Sequence, residues 1–135
     1  MKYIHRVQYY ETDAQRVTHH SNYIRIMEEA RVDMMEQMGF GYHRMEAEGV
    51  FSPVLGVTCD YKHATTFADE IVVTVRVAEL GKLKLRLEYD MHVGDKLVCH
   101  ATSLHCFLNA AGRPVVLEDR FPEFFHALQS WNENE

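Results

Sequence analysis

Tyr9-Tyr10-Glu11-Thr12-Asp13-Ala14-Gln15-Arg16-Val17-Thr18-His19-His20-Ser21-Asn22 leads without a break into a helical stretch that begins near Tyr23 and closes at Met38. Spaced at about 100° per residue, Tyr23, Ile24, Ile26, Met27, Ala30, Met34, Met35 and Met38 gather on one side, with Arg25, Glu28, Glu29, Asp33 and Glu36 on the other. The apolar arc covers about half of the circumference, wider than the stripe of a surface helix. A broad, curved sheet is the partner that such a face needs. Ser21 or Asn22 is placed to cap the start by accepting a bond from an unpaired amide. Gly39 follows the last apolar residue, where a left-handed turn is cheapest for glycine.

Working outward, the lead-in carries the chemistry. Asp13 lies a few residues before a helix N-terminus, which offers free N–H groups and the positive end of the helix dipole. A base or nucleophile beside a ready-made oxyanion site is what acyl transfer requires. Thr12-Asp13 ahead of a helix also suits a plain turn.

Composition bounds the alternatives. The 135 residues suffice for one domain, 1–135, and are too few for two of ordinary size. Hydrophobic residues at 47% and charged residues at 25% argue for a packed core and against disorder. No apolar run is long enough to cross a membrane, and residues 1–6 lack the apolar segment of a signal peptide, so the expected location is the cytoplasm. Cys59, Cys99 and Cys106 have no C-x-x-C spacing and read as packed thiols, in keeping with a reducing compartment. A net charge of −6 without a dense Lys/Arg block excludes a nucleic-acid surface. Nine histidines raise the question of a metal, but His19 and His20 are adjacent and expected to diverge, and His100 and His105 point to opposite faces of a strand. No metal is expected.

Elsewhere the pattern is mostly strand. Residues 2–10 read as a first strand, and 39–49 hold a short helical turn. Residues 52–63 form a strand with Leu55, Val57, Cys59 and Tyr61 on one face, followed by a loop at 64–69. Ile71, Val73, Val75 and Val77 alternate with Glu70, Val72, Thr74 and Arg76, and Leu83, Leu85, Leu87, Tyr89 and Met91 alternate with Lys84, Arg86, Glu88 and Asp90, with Gly81-Lys82 joining the two as a hairpin. Residues 96–108 are apolar on both faces, which suits an interior strand or one facing a second subunit. A turn at 109–114, an extension at 115–117, a helix from Pro122 carrying Phe124, Phe125, Leu128 and Trp131, and a frayed polar end at 132–135 complete the chain. The sum is an α+β domain with one helix across an antiparallel sheet.

That order resembles the hotdog fold, an antiparallel five-stranded sheet wrapped around a long central helix. In particular it resembles the 4-hydroxybenzoyl-CoA thioesterase type, including the bacterial acyl-CoA thioesterases associated with Tol-Pal genes. Tyr9, Thr12-Asp13-Ala14, Val17, His20, Asn22-Tyr23 and Glu28-Glu29-Ala30-Arg31 carry the likeness, with a weaker echo from Tyr61 to Glu70. The sequence departs from the family where Gln15 and Arg16 replace small residues and where His19 replaces an aromatic, making the loop bulkier and more polar.

The resemblance implies an acyl-CoA thioester hydrolase that needs no cofactor. Asp13 is then the nucleophile or general base, with His20 polarising the thioester carbonyl or holding Asp13. Tyr9 would donate to the carboxylate or line the pocket, and Asn22 would cap the helix or touch substrate. Lys82 and Lys84, with Arg86, form the best basic cluster for CoA phosphates, although a charged outer hairpin face explains them too. The family also implies a homodimer or homotetramer with the acyl pocket between subunits, and an exposed sheet edge would favour such pairing. Two rivals remain: a non-catalytic acyl-CoA-binding module, and a hydroxyacyl-thioester dehydratase, whose Gly-His-Phe-Pro signature is missing from the sequence.

Overall fold

The computed structural model describes residues 2–134. In chain order the elements are β1 (Lys2–Arg6), α1 (Ser21–Gln37), α2 (Tyr42–Ala47), β2 (Val50–Phe51), β3 (Val54–Tyr61), β4 (Glu70–Leu80), β5 (Lys84–Val93), β6 (Lys96–Cys106), β7 (Leu108–Asn109), α3 (Leu117–Arg120) and α4 (Pro122–Ser130). Five strands pair antiparallel in the order β1-β4-β5-β6-β3, and β2 pairs with β7 in a separate ribbon.

Alternation fixes which face is covered. Ile71, Val73 and Val75 of β4, Leu85, Leu87, Tyr89 and Met91 of β5, and Cys99 and Ala101 of β6 are buried. Opposite them α1 buries Ile26, Met27, Ala30, Met34 and Met35, so one apolar layer joins helix and sheet. The helix stops as the sequence dictates. Gly39 adopts φ +79°, its amide donates to Glu36 O, and the Phe40 amide donates to Met35 O at 3.0 Å, a Schellman closure that also buries Phe40.

Several expectations change. The first strand ends at Arg6, because Tyr9–Glu11 turns as a 3-10 helix. Within α1 the inside is narrower than its sequence suggests: Ile24 is 47% exposed, while Asn22 and Arg31 are buried. Neither Ser21 nor Asn22 caps the helix; His20 is the N-cap, without a side-chain cap bond, and the His19 ring accepts the Ser21 amide at 3.2 Å. Pro53 has no amide to lend a ladder, and β3 starts after it, at Val54. β3 is an edge strand whose Leu55, Val57 and Tyr61 are all exposed, whereas β6 is interior, between β5 and β3.

Near the C-terminus, residues 115–117 do not extend as a strand, and Leu117 instead opens the one-turn α3. The end expected to fray is stitched down: Trp131 Nε1 donates to Val75 O at 2.8 Å, and the Asn132 amide side chain bonds both Val77 N and Val77 O at 2.9 Å. Glu135 lies outside the described residues.

The revised helix faces are testable by denaturant unfolding. Met34→Ala should cost about 2–5 kcal/mol by leaving a cavity in the core. Ile24→Ala in the monomer should cost less than about 1 kcal/mol, because its side chain already meets water.

Candidate active site

The segment that enters α1 is held by one buried carboxylate. Glu11 Oε1 accepts from the Gln8 amide at 2.7 Å and meets His5 Nε2 at 2.8 Å. Its backbone carbonyl accepts from the His19 amide at 2.8 Å and from Asn22 Nδ2 at 3.0 Å. Glu11 thereby ties β1, the loop and the first turn of α1 into one body. His5 Nδ1 faces Glu29 Oε1 at 2.8 Å, so both ring nitrogens meet carboxylates. A neutral imidazole has only one N–H to give, so this arrangement favours the doubly protonated ring.

Between Glu11 and α1 the chain forms a tight loop. Asp13 N donates to Val17 O, Arg16 N donates to Asp13 O, and the Gln15 amide donates to Asp13 Oδ1 at 2.8 Å. Arg16 closes the loop at φ +67°, a left-handed conformation that suits glycine better. A second loop backs the first. Thr18 N donates to Thr65 O at 2.8 Å, the Thr18 and Thr65 hydroxyls are 2.6 Å apart, and Tyr23 OH reaches Thr65 Oγ1 at 2.9 Å.

Together these segments enclose a cavity of about 310 Å³ lined by Asp13, Val17, His20, Tyr23, Tyr61 and His63, among others. The half-buried Asp13 carboxylate and the start of α1 therefore share one hollow. The amides expected to be free there are mostly committed: Ser21 N bonds the His19 ring, Asn22 N bonds His19 O, and Tyr23 N bonds His20 O. The His20 amide has no hydrogen-bond partner among the described residues. It remains available, at the positive end of a 17-residue helix.

The other sequence-derived residues are not all brought here. Tyr9 is 77% exposed and sets its ring edge-on against Phe67, outside the cavity lining. Asn22 is buried and its side chain is spent on Glu11 O and His19 O, which makes it a fastener of the loop. Lys82 sits in the β4–β5 turn and Lys84 pairs with Cys106 across β6, whereas Tyr61 pairs with Cys99. Seven residues along a strand is roughly 23 Å, so within one chain these lysines lie at the far end of the sheet from Asp13. The His19 and His20 rings, expected to diverge, stack at 4.2 Å. Tyr61, whose hydroxyl donates to His20 O at 3.2 Å, and Lys62, paired with Asp60 at 2.6 Å, also line the cavity or its wall.

A family model described as the Thioesterase-like superfamily matches residues 7–131. The chain belongs to that superfamily. A Bacillus subtilis protein whose name proposes an acyl-CoA thioesterase is 30% identical over 125 residues, 91% of each chain. The crystal structure of a hypothetical protein from Aquifex aeolicus superposes with TM-score 0.87 at 34% identity, covering 93% of this chain and 98% of the other. A DHNA-CoA thioesterase from Staphylococcus aureus superposes with TM-score 0.89 at 25% identity, covering 98% of this chain and 93% of that one. Within the superfamily chain, Glu11 is the site-building residue that sequence reading passed over. Its signal was faint: a carboxylate between Tyr10 and Thr12, six residues after His5.

Two measurements probe this framework. Burial works to lower the His5 pKa, but the hydrogen bonds to Glu11 and Glu29 outweigh it and raise the pKa above 6.5. The folded state thus binds the proton more tightly than the unfolded chain does. The resulting stability is complete below pH 6.5 and is lost as pH rises through the higher folded value. Urea unfolding across that range should show the decline in the wild type, and His5→Gln should abolish it. Separately, Arg16→Gly should raise the melting temperature or leave it unchanged, with a gain of up to about 1 kcal/mol from relieved strain.

Proposed function

We propose that the chain hydrolyses an acyl-CoA thioester to the free acid and CoA, with Asp13 as the catalytic carboxylate. The supporting observation is that Asp13 and His20, whose amide has no partner among the described residues, line the same cavity. In the general-base route, Asp13 takes a proton from water while the water oxygen bonds to the thioester carbonyl carbon. The carbonyl oxygen becomes an oxyanion that accepts a hydrogen bond from the His20 amide. Collapse of this intermediate breaks the C–S bond, and the departing thiolate takes the proton held by Asp13, which restores the carboxylate. In the nucleophilic route, an Asp13 oxygen bonds to the same carbon, the thiolate leaves, and water hydrolyses the mixed anhydride. Both routes use the same two groups. Homologues named for acyl-CoA and DHNA-CoA hydrolysis support the reaction class.

Remaining roles follow from position. His20 contributes its amide and stacks its ring over His19. Asn22 acts through Glu11 and the loop, and Tyr9 flanks the loop from outside with no bond to Asp13.

The assembly proposed is a homodimer, alone or within a tetramer, formed along β3. That strand offers an open backbone edge beside exposed Leu55 and Val57, and pairing edge to edge would cover both. Two-fold antiparallel pairing sets the Val54 end of one β3 against the Tyr61 end of the other. Lys82 and Lys84 of one sheet would then approach the Asp13 end of its neighbour, where CoA phosphates are expected. The expected setting is the cytoplasm, where Cys59, Cys99 and Cys106 stay as thiols.

Steady-state assays on short aliphatic, long aliphatic and aromatic CoA esters test the chemistry. Asp13→Asn should lower kcat/KM by about 10³-fold while leaving the fold intact; an undiminished rate overturns the assignment. Saturable acyl-CoA binding with no turnover by the wild type would instead favour a non-catalytic module. For assembly, Val57→Asp should shift the sedimenting species from dimer to monomer and reduce turnover with it. A wild type that sediments only as a monomer at micromolar concentration would contradict the paired edge.

A further inference from the structure

Two interior clusters stand outside the proposed reaction. One is a polar thread: Arg31 Nη1 donates to Tyr89 OH at 3.0 Å, Tyr89 OH meets Ser103 Oγ at 2.6 Å, and Ser103 Oγ meets His105 Nε2 at 2.7 Å. None of these residues lines the Asp13 cavity. The other cluster holds sulfur.

Cys59 of β3 pairs with Ala101 of β6, and Tyr61 pairs with Cys99. Side chains alternate along a strand, so these four residues share one face, with the two cysteines on its diagonal. That face looks inward: Cys99 and Ala101 are buried, and Cys59 Sγ lies 3.7 Å from Met27 Sδ of α1. The two thiols differ in chemistry. A hydrogen bond from Cys99 pulls the half-buried Cys59 thiol down to about 7 against its burial, with help from Tyr61. The same contact and burial push Cys99 up. The reachable sulfur is thus the one that ionises near neutrality, and the buried one keeps its proton. Cys106 stands apart, on the opposite face of β6 and roughly 23 Å along the strand from Cys99.

We propose that Cys59 and Cys99 are a peroxide-oxidisable pair that closes to a disulfide between β3 and β6. The Cys59 thiolate attacks hydrogen peroxide: an S–O bond forms, the O–O bond breaks, and the departing hydroxide takes a proton to become water. The Cys99 sulfur then attacks the sulfenic sulfur. An S–S bond forms, the S–O bond breaks, and the leaving hydroxide takes the Cys99 proton as a second water. The two thiols lose the two electrons that the peroxide gains. Diagonal Cα atoms lie about 7–8 Å apart and a disulfide spans about 4.4–6.8 Å, so closure draws β3 toward β6 by roughly an ångström. Within the chain β3 is the last strand of its sheet and can yield. Edge pairing with a second subunit would engage its backbone and not this inward face. Tyr61 travels with β3, lines the Asp13 cavity and bonds His20 O, so closure moves that wall. In a reducing setting the pair rests as thiols and the bond is transient. The pairing does not depend on Asp13 being catalytic.

The test treats Cys106→Ser, which keeps the third thiol out of the count, with equimolar hydrogen peroxide. Its mass should fall by about 2 Da as both thiols disappear, no covalent dimer should form, and dithiothreitol should reverse the change. The rate should climb through pH of about 7 as Cys59 ionises. Adding Cys59→Ser should abolish the mass loss. Adding Cys99→Ala instead, checked for folding by circular dichroism, should stop the reaction at a sulfenic acid, heavier by about 16 Da and trapped by dimedone. Hydrogen exchange across residues 54–64 should change on oxidation of Cys106→Ser and not once Cys59→Ser is added. An unchanged mass, a disulfide between subunits, a mass loss that survives Cys59→Ser, or unaltered exchange across 54–64 would each overturn the proposal.

Discussion

A single buried carboxylate holds the working part of this fold in place. Glu11 uses its side chain to engage β1 through His5 and its carbonyl to engage α1 through His19 and Asn22. Apart from the Tyr3 and His5 bonds to Glu29, sheet and helix otherwise meet here through apolar contact, which is non-directional and tolerates sliding. Charge-assisted hydrogen bonds with defined geometry do not. The Asp13 loop hangs between these anchors, and its short internal bonds leave it little freedom. Positioning to within fractions of an ångström is what an acyl-transfer site demands.

This anchoring explains why so polar a segment is stable. Asp13 and His20 are not deeply buried; they stand at a half-open hollow whose walls are fixed from behind by the Thr18, Thr65 and Tyr23 hydroxyls. Rigidity comes from the supporting residues, and exposure is kept for the groups that would meet a ligand. The left-handed Arg16 fits the same logic, since local strain persists where neighbouring bonds over-determine the backbone.

Much of the architecture was legible in sequence because it rests on periodicity. The alternation in β4 and β5 and the Gly39 stop reflect local rules that tertiary contacts merely reinforce. What escaped depends on pairs distant in sequence. Whether Ile24 or Arg31 turns inward is decided by which strands face α1, and a hydrophobic pattern assigns the arginine to water by default. Asn132 reads as a frayed end until Val77 is seen beside it. Asp13 and His20 were singled out by their place ahead of a helix, and the structure puts both at one cavity. The fastening by Glu11 was not, because a carboxylate among tyrosines has no signature. Tyr9, expected to donate to Asp13 or line the pocket, lies outside the cavity because the chain has already turned at Tyr9–Glu11.

The hydroxyl and imidazole chain through Tyr89, Ser103 and His105 carries one more consequence. Sliding β6 against β5 by two residues would return every inward side chain to the inside, so burial of apolar area alone discriminates weakly against it. It would, however, part the Tyr89 hydroxyl from Ser103, which travels with His105 on β6, and break a satisfied buried pair. The polar thread thus works as a key for strand alignment, making the nearest misfolded isomer of the sheet more costly than its greasy surroundings could.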